Sequence, residues 1–286
     1  MKPPAVVSLL THTAKQDTSA AVQRVIDELL GAGVTVRVDA EEVAKHGLGE
    51  RDGLVLGANP DEDGTELAVV LGGDGTMLRA MRTFAGRGVP VFSFNFGAIG
   101  FLATVERDDL DEGIQRVLTG DYELVKMPAL AIDVGGAAHL GVNDISFHRR
   151  ANNRVAELAY SVGPDQLGSV RCDGLVVSTP VGSTGYNLAN GGPVLAWGVD
   201  GYVVSFIAPH TLTARALVVA TDAVLTVQNG SDNEPVDVTT DGRIVCALDP
   251  QAEMDVSFHH NKVLLAQRPG SNFYHRLREK FGRLAY

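Results

Sequence analysis

The chain has 286 residues, 45% of them hydrophobic, enough to bury a sizeable core in one large domain or two closely associated ones. Its formal net charge of −11 repels polyanions, so neither a nucleic-acid groove nor an anionic membrane surface is expected without a basic patch standing against that average. Arg149-Arg150 and the run Arg276, Arg278, Lys280 and Arg283 come nearest, and Glu279 interrupts the run, which reads as a solvated helix face.

In chain order, Val6 to Leu10 reads as a buried strand, and its apolar run ends too early for a signal-peptide core. Ala21, Val22, Val25, Ile26, Leu29 and Leu30 recur at helical spacing, with Thr18 or Asp17 to cap the helix and Gly31 to Gly33 to end it. Val34 to Val38, Leu67 to Leu71 and Val89 to Phe94 are predicted strands, and Gly75 to Phe84 and Leu110 to Leu118 predicted helices. This β-α-β succession predicts an α/β N-terminal lobe with a parallel sheet over residues 1–121.

From Tyr122 the texture changes to short β-rich runs split by turn signals: Ala129 to Val134, Val203 to Ile207, Ala223 to Val227 and Arg243 to Leu248. Residues 122–267 are therefore expected to form a β-rich lobe. Met254 to Phe258 and Val263 to Ala266, parted by His259-His260-Asn261, read as a hairpin, and Asp241-Gly242 as a hairpin turn. Phe273 to Leu284 returns to an amphipathic helical pattern, so 268–286 is expected to be a helical segment that packs back on the N-terminal lobe. Cys172 and Cys246, the only two cysteines, each lie in an apolar stretch, which excludes a disulfide framework and suits small core residues of a reducing compartment. A cytoplasmic protein follows, since no apolar run approaches membrane-spanning length.

The chemistry concentrates in three places. The strand Leu67 to Leu71 runs into Gly72-Gly73-Asp74-Gly75-Thr76 and then a helix, where small residues let backbone N–H groups approach a phosphate at a helix N-terminus. The bland alternative is a tight strand-to-helix turn with Asp74 as a cap. No Gly-Lys dipeptide occurs, and no Gly-x-Gly is followed by Gly at dinucleotide-fold spacing, so neither a Walker loop nor an ordinary dehydrogenase fits. Asp74 is placed either to accept a proton from an attacking hydroxyl or to hold Mg²⁺.

The second place is Asp173 to Pro193, a strand leading into hydroxyls, glycines and Tyr186, which suits ribose and base edges against a flat apolar surface. A glycine-rich loop whose Ser and Thr satisfy themselves is the competing account. Third, Asn143-Asp144 sets an amide beside a carboxylate, either to read an adenine edge and a ribose diol or to form an Asx turn. His259-His260 has no third ligand nearby in sequence, so no protein-built metal cluster is expected.

In this order, these elements resemble the NAD kinase family. Gly72 to Thr76 matches the family's first motif, Asn95 to Leu102 with Gly97, Gly100 and Phe101 its Gly-x-x-Gly-Phe segment, Asn143-Asp144 its Asn-Glu motif, and Asp173 to Pro193 its long glycine-rich motif. Pro209-His210-Thr211-Leu212 and the terminal helix extend the likeness. The resemblance implies transfer of a phosphoryl group from ATP, or from polyphosphate, to the 2′-hydroxyl of the adenosine ribose of NAD, giving NADP, with Mg²⁺ or another divalent cation accompanying the donor phosphates.

Carried over by position, it implies that Gly72, Gly73, Gly75 and Thr76 form the phosphate-donor loop and that Asp74 is the catalytic base. It further implies an NAD pocket of Asp74, Gly75, Phe101, Asn143, Asp144, Asp173, Thr184, Gly185, Tyr186 and Ala189, and a homodimer or homotetramer. Asp144 departs from the family's usual Glu by one methylene. Two rival readings are a lipid kinase, which shares the Gly-Gly-Asp-Gly loop but leaves Asp173 to Pro193 unexplained, and a non-catalytic NAD(P) sensor, against which Asp74 stands.

Overall fold

The computed structural model describes residues 2–12, 18–97, 101–151 and 154–282. It divides into two compact units, Met1–Lys126 with Val263–Tyr286, and Met127–Lys262.

The first unit begins with β1 (Val6–Thr11), buried after its first residue, and α1 (Ser19–Gly31), whose Val22, Val25, Ile26 and Leu29 share one buried face. Thr18 takes the N-cap position without a side-chain bond; the alternative cap, Asp17, lies outside the described residues. There follow β2 (Thr35–Val38), α2 (Ala40–His46), β3 (Leu54–Leu56), β4 (Leu67–Gly72), α3 (Asp74–Thr83), β5 (Pro90–Asn95), β6 (Val105–Glu106), α4 (Leu110–Thr119) and the start of β7 (Glu123–Val134), which belongs to the second unit from Met127 on. Strands pair in parallel in the order β3-β2-β1-β4-β5. The chain thus builds outward from β1 in one direction and from β4 in the other, and the carboxyl ends of β1 and β4 form the switch point where such sheets open a crevice for ligands.

The helix α2 has no apolar stripe and is missed by periodicity. Its buried residues are Glu42 and His46, and they are satisfied by a polar cluster: Thr11 donates N–H (2.8 Å) and Oγ1 (2.5 Å) to Glu42, and Lys45 and Arg79 pair with the same carboxylate.

The second unit holds β8 (Ala137–Gly141), β9 (Asp144–Arg149), β10 (Ala156–Val162), β11 (Asp165–Cys172), β12 (Gly174–Ser178), the single turn α5 (Tyr186–Ala189), β13 (Gly201–Ile207), β14 (Leu217–Ala220), β15 (Leu225–Asn229), β16 (Val236–Thr240) and β17 (Arg243–Leu248). Five antiparallel pairings give one sheet, β14-β13-β12-β9-β16-β17, while β10 pairs antiparallel with both β11 and β15 in another. Inward residues of both, such as Leu158, Val227, Leu175 and Val204, merge into one apolar core. Cys172 belongs to that core, whereas Cys246 is only partly buried at its margin.

The hairpin expected around His259-His260-Asn261 is not formed. Glu253–Gln267 is one strand, β18, whose first half pairs antiparallel with β15 and whose Leu264 and Leu265 pair in parallel with Pro90 and Val91 of β5. Each half finds a distant partner, so the halves do not pair with each other. The polar triplet marks where the strand passes from one unit to the next, with Asn261 in the left-handed region at φ 56°.

The last element, α6 (Phe273–Phe281), is grouped with the first unit. Asn272 caps it by accepting the His275 N–H at 2.9 Å. Phe273 meets Phe101 edge-on at 5.9 Å. Arg276, read from sequence as solvated, is 6% exposed; residues 283–286 lie outside the described residues.

Candidate functional site

In the first unit, β4 ends at Gly72 and α3 starts at Asp74 with Gly73 as N-cap. The N–H groups of Thr76 and Met77 close onto the Gly73 carbonyl at 3.0 Å each, so the N–H groups of Asp74 and Gly75 lie ahead of the first intrahelical bonds, where an anion is favoured. Close packing explains two of the glycines. A Cβ on Gly72 would stand 2.5 Å from Thr76 Oγ1, and one on Gly97 would stand 2.9 Å from the Gly73 Cα. Gly75 faces open space and is exposed.

The Asp74 carboxylate does not cap its own helix. It accepts the Phe101 N–H on Oδ2 at 3.0 Å and the Leu102 N–H on Oδ1 at 3.1 Å. Burial pushes its pKa up, while the two N–H bonds and the nearby Lys280 and Arg276 charges pull the other way. The result is an oriented carboxylate of raised basicity with one further lone-pair direction on each oxygen. Phe101, implied to flank an adenosine, turns its ring into the unit's interior against Phe273 and Phe281 and keeps 6% of its surface. What it offers Asp74 is its backbone N–H. Gly100 lies outside the described residues.

In the second unit, the other candidate residues converge. β9 and β12 are antiparallel partners with Asp144 opposite Ser178, so the Asn143-Asp144 pair sits beside the loop that follows Ser178. Thr179 fastens the two: its N–H donates to the Asn143 carbonyl at 2.9 Å and its hydroxyl to the Val142 carbonyl at 2.7 Å. Gly182 approaches so closely that a Cβ there would lie 2.1 Å from the Asn143 oxygen. Asn143 Oδ1 is buried with no hydrogen-bond partner among the described residues, an acceptor left for something outside the chain.

Thr184 is partly buried, whereas Gly185, Tyr186 and Ala189 are exposed on the turn above. Tyr186 stacks on His148, with centroids 5.7 Å apart and planes 18° from parallel. His148 is itself held by Ser146, which also bonds Thr239. Sequence reasoning singled out neither.

Asp144 is 6% exposed, and its pKa is pushed up to about 7 by burial and by the neighbouring Asp241 charge. The sequence reads Asp241 as a hairpin-turn residue. It is one, with φ 45° at the β16–β17 turn, but its carboxylate also accepts three successive N–H groups, from Val142 (3.1 Å), Asn143 (2.7 Å) and Asp144 (3.1 Å). It therefore shapes the segment that carries the candidate amide and carboxyl.

Asp173 is not in this cluster of backbone bonds. Its carboxylate is paired with Arg149, Nε to Oδ1 at 2.6 Å, and the pairing holds its pKa below the usual range. His210 is exposed and donates its N–H to the Arg171 carbonyl at 2.8 Å.

Among the described residues, no group of three or more His, Cys, Asp or Glu side chains could hold a metal ion. Among them too, no helix is long and apolar enough to cross a membrane.

A glycine-rich loop at a helix start on a parallel α/β sheet, with an oriented carboxylate beside it, is an arrangement that suits phosphoryl transfer. The sequence places the chain in that class of enzyme: the family models for the ATP-NAD kinase N-terminal and C-terminal domains match residues 7–122 and 142–267. NAD kinase 2 of Streptomyces coelicolor is 35% identical over 281 residues, covering 96% of this chain and 93% of that protein. The chain belongs to the ATP-NAD kinase family and is a kinase acting on NAD. In fold it is similar to a yeast NADH kinase solved with NADH, at a TM-score of 0.88 and 22% identity over 99% of this chain and 89% of that one. It is also similar to an Archaeoglobus fulgidus NAD kinase solved with ATP, at 0.73 and 22% over 98% of each chain.

Proposed function

We propose that the chain makes NADP by transferring the terminal phosphoryl group of ATP to the 2′-hydroxyl of the adenosine ribose of NAD, with Asp74 as general base. The observation that carries this reading is the Asp74 carboxylate, fixed by two N–H groups at 3.0 and 3.1 Å, partly buried, with a raised pKa, and set at the helix start of the Gly72 to Thr76 loop. A base of raised pKa takes a proton more readily once it is ionised. As the ribose oxygen forms its bond to the γ-phosphorus, the bond to the leaving ADP oxygen breaks and the hydroxyl proton passes to Asp74.

Gly72, Gly73, Gly75 and Thr76 line the donor side, where the open space at Gly75 and the helix N-terminus favour phosphate oxygens. Asn143 and Asp144 read the adenosine, the orphaned Oδ1 of Asn143 accepting from the base and Asp144 from ribose hydroxyls. Thr184, Gly185 and Ala189 border this pocket, and Tyr186, backed by His148, gives it a flat wall. Asp173, braced by Arg149, is left to meet the nicotinamide end.

Among the described residues no group of three or more His, Cys, Asp or Glu side chains is built for a metal, which fits Mg²⁺ or another divalent cation that would arrive with the donor phosphates and leave Asp74 free as base. Such a cation would supply charge neutralisation on the donor phosphates. Polyphosphate as an alternative donor, a homodimer or homotetramer, and a cytoplasmic location belong to the same proposal.

The test is Asp74→Asn, assayed with NAD against ATP and polyphosphate. It should bind NAD and lose about 10²- to 10⁴-fold in kcat. In the unaltered protein, kcat should climb with pH through the raised Asp74 pKa and then level. Turnover near that of the unaltered protein in Asp74→Asn would sink the base assignment.

A further inference from the structure

Arg276 is the one strongly buried cation of the Arg276, Arg278 and Lys280 run, with 6% of its surface exposed. Removing a guanidinium from water is costly unless hydrogen bonds and opposite charge compensate. Here Nη1 donates to the carbonyls of Phe101 at 3.1 Å and Ala103 at 2.5 Å. The same turn, residues 101–103, donates its Phe101 and Leu102 N–H groups to the two oxygens of Asp74. The turn is thus held at its carbonyls by a cation and at its N–H groups by the carboxylate. The Phe101 carbonyl and the Leu102 N–H belong to one peptide group, so the pull on that carbonyl polarises the group and strengthens the Leu102 N–H bond to Asp74. The Phe101 ring, packed on Phe273 and Phe281 of the same helix, fixes the turn from a third side.

We propose that Arg276 is a positioning residue for phosphoryl transfer: through the 101–103 turn, it holds the Asp74 carboxylate in the orientation that receives the 2′-hydroxyl proton. The inference rests on the reading of Asp74 as the base. It acts through Asp74 and touches no substrate. The charges around the pair are Lys280, which pairs with Glu106 at 3.5 Å, and Glu279. Of the cations, Arg276 and Lys280 favour ionised Asp74, so loss of Arg276 moves the proton equilibrium of Asp74 towards the acid form.

The experiment compares Arg276→Met, Arg276→Lys and Asp74→Asn for kcat, KM for NAD, the pH profile of kcat, thermal melting, and response to added guanidinium ion. Arg276→Met should lose about tenfold to 100-fold in kcat, the scale of a small misplacement of a catalytic group. Its KM for NAD should stay within about threefold. The rising limb of its pH profile should move to higher pH, and guanidinium ion should restore part of its turnover. Arg276→Lys keeps the charge, but its Nζ falls one bond short of the Nη1 position that serves both carbonyls, so its limb should stay in place while kcat falls.

A folded Arg276→Met protein with unchanged kcat and an unmoved limb overturns the proposal. So does a loss of kcat with no limb shift and no guanidinium response, which marks a purely structural residue. If Arg276→Met does not fold, Arg276→Lys decides: full kcat there refutes the two-carbonyl clamp. An inactive Asp74→Asn beside a normal Arg276 series refutes this inference alone, whereas an active Asp74→Asn refutes the base assignment beneath it.

Discussion

Replacing Asp144 by Asn should stabilise the protein, and by an amount that depends on pH. Asp144 is 6% exposed and faces the Asp241 charge, which together push its pKa up to about 7 from an ordinary value of about 3.9. Between those two values the native state holds a proton that the unfolded state has released, so unfolding free energy falls as pH rises. Three units at about 1.4 kcal/mol each give about 4 kcal/mol, fully lost above pH 7. Stability from this group is therefore intact below about pH 4. Asn has nearly the same shape and no charge to ionise, so the variant lacks this slope. Urea unfolding of both proteins at pH 5, 6, 7 and 8 should show a stability gap that widens in favour of Asp144→Asn across that range and then levels. A gap independent of pH, or one that closes as pH rises, refutes the placement of a buried, proton-holding carboxyl at this position.

Asp241→Ala removes the acceptor for three backbone N–H groups and should cost about 1–3 kcal/mol of stability together with a raised KM for NAD, read by melting and steady-state kinetics. Gly182→Ala and Gly75→Ala separate packing from access. A Cβ at 182 collides with the Asn143 oxygen at 2.1 Å, so that variant should lower the melting temperature and weaken NAD binding measured by calorimetry. A Cβ at 75 meets nothing within 4 Å, so Gly75→Ala should melt normally and lose affinity only for ligands.

Local pattern carried much of the fold. The alternation of buried strands with amphipathic helices from Val6 to Leu118 was legible because burial on both faces of a parallel sheet leaves continuous apolar runs. The change to short strands after Tyr122 was legible for the same reason in reverse. What escaped depended on partners far along the chain. Asp241 meets Val142, Asn143 and Asp144 some hundred residues away, and the local pattern around Asp241-Gly242 reads as a plain hairpin turn, so only the family's Asp-Gly at this place, which lies near the ligand, pointed to more. The burial of Arg276 is set by carbonyls of Phe101 and Ala103, so the charge pattern of its own helix was misleading. His259-His260-Asn261 carried a turn's composition because a strand changing partners needs polar, kinkable residues at the change.

The division of the first unit in sequence has a consequence for synthesis. Its sheet starts at Val6, and the Asp74 loop is complete once the first 76 residues are made, yet Leu264, Leu265 and the helix bearing Arg276 emerge only after the whole second unit, Met127–Lys262, has left the ribosome. A nascent chain therefore displays the Gly72 to Thr76 loop long before the helix whose Arg276 bonds the Phe101 and Ala103 carbonyls has been made. The order of translation leaves the Pro90-Val91 part of the β5 edge, which Leu264 and Leu265 cover in the finished protein, exposed for that interval, a surface on which a chaperone can act.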